Sequence, residues 1–406
     1  MAKLTDLCPE IVILIAEELN GWNGEIYQFR LTCRYLARCS QKVFIEWYVS
    51  HCWANLTRKD LLRCLEIAKT PDLGPFIEEL ELVMSPKRSS DTEGPLSNIG
   101  ELPEQDWFYR SALDISYLTQ ILQHSVNCKK IIVDMTDGDS AWDKETSANG
   151  LDNNQNHIGH AVYMTLAALA GGDSQITSLM IGIQDGGSLQ PISLSLPESF
   201  LDPKLPWINS LKTLYLAIGP GGLGYSDNWA ELPAISAGAG DQDVWGKPLA
   251  NFINLFPGLE SLNLVFSHCL HSDYFNALVP MLTPMKIQKL DLGYCDCWPD
   301  DLLSFLRLCS PSLQSLYLYG VNLEGSWRPV LATIRDELGL ASFGMSGCQE
   351  NMVEELTFRE GDLNRSTNFL LVGRDPSLWD RLDRGLRLCA APPMAPSGND
   401  VRHVIS

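Results

Sequence analysis

Apolar residues near the amino terminus recur every three or four positions, which is the spacing of one face of an α-helix. The residues that follow this spacing are Ile11, Leu14, Ile15 and Leu19. Pro9 stands where a first helical residue tolerates the loss of its N–H group, so the pattern predicts a helix from Pro9 to Leu19. A second helix is expected from Glu25, and a third, with Thr32 as its N-cap, is expected to reach Trp47. Three short helices cannot bury all of their own apolar surface, so another chain or the rest of this one must cover part of it.

Beyond residue 75 a second pattern, apolar-x-x-apolar-x-apolar, repeats along the chain. Its eight copies begin at Ile77, Cys128, Ile176, Leu211, Leu259, Ile287, Leu313 and Leu340. The last four copies start 28, 26 and 27 residues apart, close to the period of about 20 to 29 residues of leucine-rich repeats. Helical stretches precede several copies, and a strand, a turn and a helix together form the unit of a curved solenoid. The longer early steps predict loop insertions at 85–110, 136–157 and 217–246.

The strands of such a repeat expose the residues between the apolar positions, because successive side chains point to opposite faces of a sheet. These residues would line the concave face of the solenoid and bind a protein target. Tyr317 and Tyr319 both face away from the side of Leu318, and tyrosine is enriched among the residues that dominate binding energy. The predicted target-binding residues are Tyr215, Asn263, Asp291, Tyr317 and Tyr319.

The run Leu7–Ile11, the Ile/Leu-rich helix after it and the run Leu31–Leu36 together resemble the F-box of fungal F-box proteins, over roughly residues 3–50. The commoner Leu-Pro opening of that motif is replaced by Leu7-Cys8, with Pro9 kept. In that family the F-box binds a Skp-type adaptor, which joins it to a cullin and so to a ubiquitin ligase. The resemblance implies an adaptor-binding role for Leu7, Pro9, Glu10, Ile11, Ile15, Leu19, Phe29, Leu31, Cys33 and Leu36. A less specific resemblance to the repeat region of the same proteins covers about residues 255–348.

Charge and composition narrow the possible partners. The 406-residue chain is 45% hydrophobic, which is enough for a sizeable core, and its net charge is −20. Residues 1–70 hold nine Lys/Arg and eight Asp/Glu, a charge of +1, so the remainder carries −21. This acidity disfavours nucleic acid and membrane surfaces and favours either a basic protein partner or simply solubility. No signal-peptide pattern is present, and the longest nearly apolar stretch, 161–170, is too short to span a bilayer, so a cytoplasmic and/or nuclear location is expected.

Three groups of residues suggest chemistry, and each also has a structural explanation. Gly219–Gly224 fits the G-x-G-x-x-G pattern after a strand, but no long helix follows to bind a pyrophosphate, so a loop is expected. The candidate zinc ligands are His268, His271, Cys295 and Cys297. They include no C-x-x-C pair, so structural roles are expected. His157 and His160, spaced i, i+3 with no Glu nearby, are expected to be exposed. The sequence therefore predicts no catalytic residue, no metal and no cofactor.

These observations predict an α+α/β protein, a three-helix F-box followed by an irregular leucine-rich-repeat solenoid, or horseshoe, with long loop insertions. The predicted domains are an F-box at 3–50, a helical linker at 51–75, the repeats at 76–350 and a non-repeat segment at 351–406 with a disordered end. Trp47, Tyr48 and Trp53 are expected to pack between the first helices and the first repeat. The expected function is that of a noncatalytic substrate-recognition subunit of an SCF-type cullin-RING ubiquitin ligase. The alternative is a repeat scaffold for protein interactions that acts without a ligase.

Overall fold

The computed structural model divides into two compact units, Met1–Leu259 and Glu260–Ser406, which are described in turn. The described residues are 4–19, 25–83, 112–134, 160–182, 200, 202–218, 241–270, 272–351, 354–355, 358–360, 364–366 and 368–372. Two of the predicted insertions, 85–110 and 136–157, lie outside the described residues, as does most of 217–246 with the glycines of Gly219–Gly224.

The first unit begins with a helical module, defined here as residues 4–50. After a 3-10 turn at Leu4–Asp6, its helices are α1 (Pro9–Glu18), α2 (Glu25–Thr32), α3 (Arg34–Cys39) and α4 (Gln41–Tyr48). The predicted third helix is therefore two helices, and the prediction that Thr32 is its N-cap is wrong. The Thr32 hydroxyl instead donates to the Gln28 carbonyl at 3.1 Å, as the last residue of α2. Cys33 is the N-cap of α3, and the Ser40 hydroxyl donates to the Leu36 carbonyl at 2.7 Å where α3 ends.

The helical module has its own small interior. Ala16, Ile26 and Val43, from α1, α2 and α4, form a buried cluster against which half-buried apolar side chains pack. Arg30 ties the helices together, since its guanidinium donates to the Ala37 carbonyl at 2.9 Å and the Gln41 side-chain oxygen at 2.6 Å. Outside this interior several apolar side chains of the short helices are exposed, among them Leu14, Leu31 and Trp47.

The rest of the first unit alternates strands and helices. The elements are β1 (His51–Asn55), α5 (Arg58–Lys69), β2 (Glu79–Val83), α6 (Leu113–His124), β3 (Lys130–Asp134), α7 (160–170), β4 (Ser178–Ile181), α8 (Pro206–Ser210), β5 (Thr213–Ile218) and α9 (Asp241–Asn254). The five strands lie parallel in the order β1-β2-β3-β4-β5. Parallel neighbours need a long crossover, which the intervening helices supply.

The second unit continues the same plan. Its elements are β6 (Ser261–Leu270), α10 (Ser272–Leu278), a 3-10 turn (Val279–Met281), β7 (Lys289–Cys297), α11 (Pro299–Cys309), β8 (Ser315–Tyr319), β9 (Asn322–Leu323), α12 (Trp327–Asp336), β10 (Ser342–Ser346), β11 (Gln349–Glu350), β12 (Glu354–Glu355), β13 (Phe358–Glu360), β14 (Asn364–Ser366) and β15 (Asn368–Val372). The main order is β6-β7-β8-β10-β15, in which the first four strands are parallel and β15 is antiparallel to β10.

The predicted repeat corresponds to these strands copy by copy. In all eight copies a strand begins two residues after the first apolar residue, and each of the three apolar positions is 5% exposed or less. The register also aligns equivalent positions, so that Leu290 lies beside Leu262 on one neighbouring strand and beside Leu316 on the other. Full burial of each such side chain contributes about 1.5–3 kcal/mol, so the ladder of apolar positions is the main source of stability of both units.

A ninth copy of the pattern occurs at β1, where the sequence predicted a helical linker at 51–75. Val49, Cys52 and Ala54 occupy the three apolar positions and are 2%, 4% and 0% exposed. β1 pairs in register with β2, with Cys52 beside Leu80. The segment 51–75, predicted to be a helical linker, therefore begins with the strand β1 before the helix α5. In the described residues, no helix is both long and apolar enough to cross a bilayer.

Candidate protein-binding surfaces

The first candidate surface is the outward side of α1. Val12 and Ala16 are fully buried on the inward side of this helix. On the other side Ile11 is 42% exposed and Leu14 is 55% exposed, and Ile15 is half-buried. Ile11, Leu14 and Ile15 recur at i, i+3 and i+4, so they share one helix face, and they are called the α1 stripe below. The helix thus has two apolar faces, of which the described residues cover only one.

The predicted adaptor-binding residues are distributed unevenly between surface and interior. Pro9, the first residue of α1, and Glu10 are exposed, and the backbone N–H of Glu10 and the Cys8 thiol lower the pKa of the Glu10 carboxyl. Leu31 is 83% exposed. The half-buried members of the set are Leu7, Ile15, Leu19, Phe29 and Cys33. Leu36 is only 1% exposed and belongs to the interior of the helical module, so its side chain is not available to a partner.

Several exposed apolar residues were not in the predicted set. Leu14 shares the helical spacing of the α1 stripe, so that spacing was a signal for it. Tyr27 is 44% exposed, and its ring packs edge-on against Phe44 and Tyr48 with centroids 5.4 and 4.7 Å apart. Trp47 and Trp53 were expected to be packed but are 60% and 48% exposed. The indole of Trp53 is instead covered on one side by the guanidinium of Arg63, 5.1 Å from the ring centroid.

In the first unit, the strand face opposite the core carries charged residues. His51 on β1 contacts two carboxylates of β2, Glu79 at 2.9 Å through Nδ1 and Glu81 at 2.6 Å through Nε2. Lys130 on β3 contacts Glu79 at 2.9 Å. The hydrogen bond to Glu81 is the main cause of a raised pKa of His51, and the same bond lowers the pKa of Glu81. The predicted residue Tyr215 lies on β5 of this unit, in register with Met180 and half-buried.

In the second unit, the corresponding strand face combines amide, carboxylate and aromatic groups. Asn263, Asp291 and Tyr317 lie side by side on β6, β7 and β8. Asn263 Nδ2 donates to Asp291 Oδ2 at 3.3 Å, and Lys289 Nζ contacts the same oxygen at 2.9 Å. Asp291 Oδ1 and Asn263 Oδ1 are buried and accept no hydrogen bond from any described residue. Three of the predicted target-binding residues are therefore brought together.

Next to them lies an aromatic cluster, defined as Tyr294, Tyr317 and Tyr319. Tyr317 and Tyr319 stack with centroids 5.7 Å apart, and Tyr294 meets Tyr319 edge-on at 5.3 Å. Gly293 makes room for this packing, because a Cβ atom there would overlap the Tyr319 ring. Tyr294 has φ +52°, a left-handed conformation that is an outlier for a bulky residue, and it is 47% exposed. Tyr294 was not among the predicted residues, because no residue pattern around it indicates a positive φ.

The residues considered for metal or catalytic chemistry have structural roles where they are described. His160 was expected to be exposed, but its Nε2 lies 2.6 Å from Oδ2 of the fully buried Asp114. Cys295 and Cys297 are buried, and burial is the first cause of a raised pKa of Cys295. His157, His271 and the side chain of His268 lie outside the described part of the chain. Within that part no group of three His, Cys, Asp or Glu side chains is arranged to hold a metal ion.

Comparison with known proteins gives little guidance. No protein-family model matches the chain, and no curated protein matches it. Among solved structures, one match is the crystal structure of Rad7 and Elc1 complex in yeast, with 12% sequence identity over 82% of this chain and 80% of that chain. Its TM-score is 0.28, and a likeness of that size carries no argument about fold or function.

Proposed function

We propose that the chain is an F-box protein with a leucine-rich-repeat region, a noncatalytic substrate-recognition subunit of an SCF-type cullin-RING ubiquitin ligase. In this proposal the helical module binds a Skp-type adaptor, and through it a cullin, while the repeat strands hold a protein target. The observation that carries the proposal is the α1 stripe, in which Ile11 and Leu14 are exposed although the opposite face of the same helix is buried.

Exposure of these side chains favours association with a partner. Ile11, Leu14 and Leu31 are 42%, 55% and 83% exposed, which together is close to two complete apolar side chains. Covering that much apolar surface would contribute about 3–5 kcal/mol to association, before the cost of ordering both partners. Single exposed apolar residues are normal on protein surfaces, but neighbours on one helix face are typical of a docking site.

The proposed mechanism is positional. The receptor raises the effective concentration of a target near a ubiquitin-charged enzyme, so no residue of this chain needs to form or break a covalent bond. The proposal includes a cytoplasmic and/or nuclear location, where such a ligase acts.

Capture of the full chain on an immobilised Skp-type adaptor tests the proposal. The double variant Ile11→Glu with Leu31→Glu places two charges on the exposed apolar positions, and capture is expected to fall more than about tenfold. The matched control is Val126→Glu, because Val126 is also apolar and 67% exposed but lies in the turn before β3, outside the helical module. Failure of the wild-type chain to bind, or equal capture of the double variant and the wild type, would refute the adaptor-binding role.

The second candidate is a repeat scaffold for protein interactions that acts without a ligase. The aromatic cluster favours it, because this candidate binding surface lies in the second unit and contains no residue of the helical module. Such a surface could bind a partner without the adaptor. A chain that binds a target protein but is not captured by the adaptor would support the scaffold.

A further inference from the structure

We propose that the strand face of the second unit around Asp291 and the aromatic cluster binds an arginine side chain of a partner protein. The inference deepens the proposed function and rests on it for its meaning, because it names the chemical class of the target that the receptor would hold. Its physical basis is independent of the adaptor, since every residue involved belongs to Glu260–Ser406.

Among the described residues, only one oxygen of the Asp291 carboxylate has a hydrogen-bond or ion-pair partner. Its Oδ2 contacts Asn263 Nδ2 at 3.3 Å and Lys289 Nζ at 2.9 Å, whereas Oδ1 accepts no hydrogen bond from the described residues. A guanidinium offers two parallel N–H donors in a planar fork, so it can bond both oxygens of one carboxylate at once. Asp291 Oδ1 is buried in this conformation, so the side chain must turn outward for arginine to reach both oxygens. The side chain of Lys289 is 54% exposed and that of Asp291 is 13% exposed, so the flexible Lys289 ammonium can move into water when arginine takes its place.

The aromatic cluster supplies a second, independent preference for arginine. Tyr317 lies beside Asp291 on the neighbouring strand and is 37% exposed, and its ring stacks on that of Tyr319. Planar guanidinium groups stack on tyrosine faces, which adds cation–π attraction to the ion pair. Tyr294 is held in a left-handed conformation, and backbone strain of this kind persists where the surroundings enforce it and clusters at binding sites.

Charge selects a cation over an anion at this surface. Residues 260–351 contain ten Asp/Glu and five Lys/Arg, a net charge of −5, within a chain of net charge −20. An acidic or phosphorylated segment would be repelled, and a basic one attracted. Lysine would be attracted as well, but it presents a point charge that cannot bridge both oxygens of Asp291 or stack on Tyr317 as a plane.

The test probes an array of short random peptides with the full-length chain and compares arginine with lysine among the bound peptides. Arginine is expected to be enriched over lysine. Binding of an arginine peptide selected from the array is expected to fall at least about tenfold with Asp291→Asn, which keeps the shape of the side chain. Tyr317→Ala is expected to weaken it also, whereas Lys289→Ala, which removes the internal competitor, should retain or strengthen it.

Two controls separate recognition from folding and charge. Asp336→Asn removes a negative charge from an exposed position on α12 and is expected to leave peptide binding unchanged. Tyr317→Phe keeps the aromatic ring and is expected to keep most of the binding. Equal enrichment of lysine and arginine, or arginine enrichment that persists in both Asp291→Asn and Tyr317→Ala, would overturn the inference.

Adaptor capture measured on the same variants distinguishes the two proposals. If the variants bind the adaptor normally and the wild-type array shows no arginine preference, the arginine site is wrong and the adaptor-binding role stands. If arginine is selected but the wild-type chain is not captured by the adaptor, the ligase role is wrong and the arginine site stands.

Discussion

The helical module and the repeats differ in how far their apolar side chains are exposed. In the repeats, all three apolar positions of every predicted copy are 5% exposed or less, and neighbouring strands align them in register. In the helical module, Leu14 is 55% exposed and Leu31 is 83% exposed, although both occur in regular helices. The difference teaches that apolar spacing predicts helices and strands in both regions but predicts burial only where neighbouring copies stack on one another.

The largest expected effect is a difference in stability between two leucine-to-alanine substitutions, one made in each region. Leu316→Ala removes a buried side chain between β7 and β10 and is expected to lower the free energy of unfolding by about 2–5 kcal/mol, because a cavity remains. Leu31→Ala removes an exposed side chain and is expected to change it by less than about 0.5 kcal/mol. Urea denaturation followed by circular dichroism measures both, and equal losses would show that the helical module buries Leu31.

A second substitution tests how tightly the aromatic cluster packs against the outward side of β7. Gly293→Ala places a Cβ atom against the Tyr319 ring, and displacing that ring is expected to cost about 1–2 kcal/mol and to disturb the aromatic cluster. Gly339→Ala is the control, because nothing lies within 4 Å of the added Cβ. Thermal unfolding together with tyrosine fluorescence follows both changes. An unaltered cluster in Gly293→Ala would mean that the ring is free to move aside.

The junction between the two regions depends on a helix cap. Thr57 accepts a hydrogen bond from the Asp60 backbone N–H at 3.2 Å and is the N-cap of α5, the first helix after the helical module. Thr57→Ala is expected to lower the free energy of unfolding by about 1 kcal/mol. Thr70→Ala, at the other end of α5, is the control, since the Thr70 hydroxyl only donates to the Glu66 carbonyl. Equal destabilisation by both changes would argue against a specific capping role.

The smallest expected effect concerns the charged strand face of the first unit. The pKa of His51 is raised, so its contribution to stability is complete below the unfolded value of about 6.5 and is lost as pH rises through the folded value. The pKa of Glu81 is lowered, so its contribution is complete above about 4.5 and is lost as pH falls. His51→Ala is therefore expected to destabilise the chain most between about pH 4.5 and 6.5, by less than about 1 kcal/mol because the pair is partly exposed. Unfolding midpoints at pH 5.5 and about pH 9 check this, and an equal loss at both values would contradict it.

Sequence periodicity was sufficient for much of the fold, and its failures have local causes. The eight predicted copies became strands because strong apolar residues such as Leu290 mark the core positions without ambiguity. The ninth copy was missed because Cys52 and Ala54 are small and only weakly apolar, although they are buried all the same. Thr32 is a typical N-cap residue, but its hydroxyl bonds back to the preceding turn, which the sequence alone does not distinguish from capping.

The candidate surfaces were predictable in part. The spacing of Ile11, Leu14 and Ile15 placed them on one helix face, yet which face would be covered depended on tertiary packing. Strand alternation placed Asp291 and Tyr317 on the face opposite the core, as the register shows. The Oδ1 atom of Asp291, unpaired among the described residues, and the positive φ of Tyr294 depend on three-dimensional geometry, so no sequence pattern predicted them.

The antiparallel pairing of β15 with β10 has a consequence for self-assembly. All five residues of β10, Ser342–Ser346, pair with Asn368–Val372, so the edge of β10 that β8 leaves open finds its hydrogen-bond partners within the same chain. A strand without such a partner is a template on which a second molecule can add. A chain shortened before β14 would therefore expose the edge of β10, and two copies would be expected to pair edge to edge at this strand.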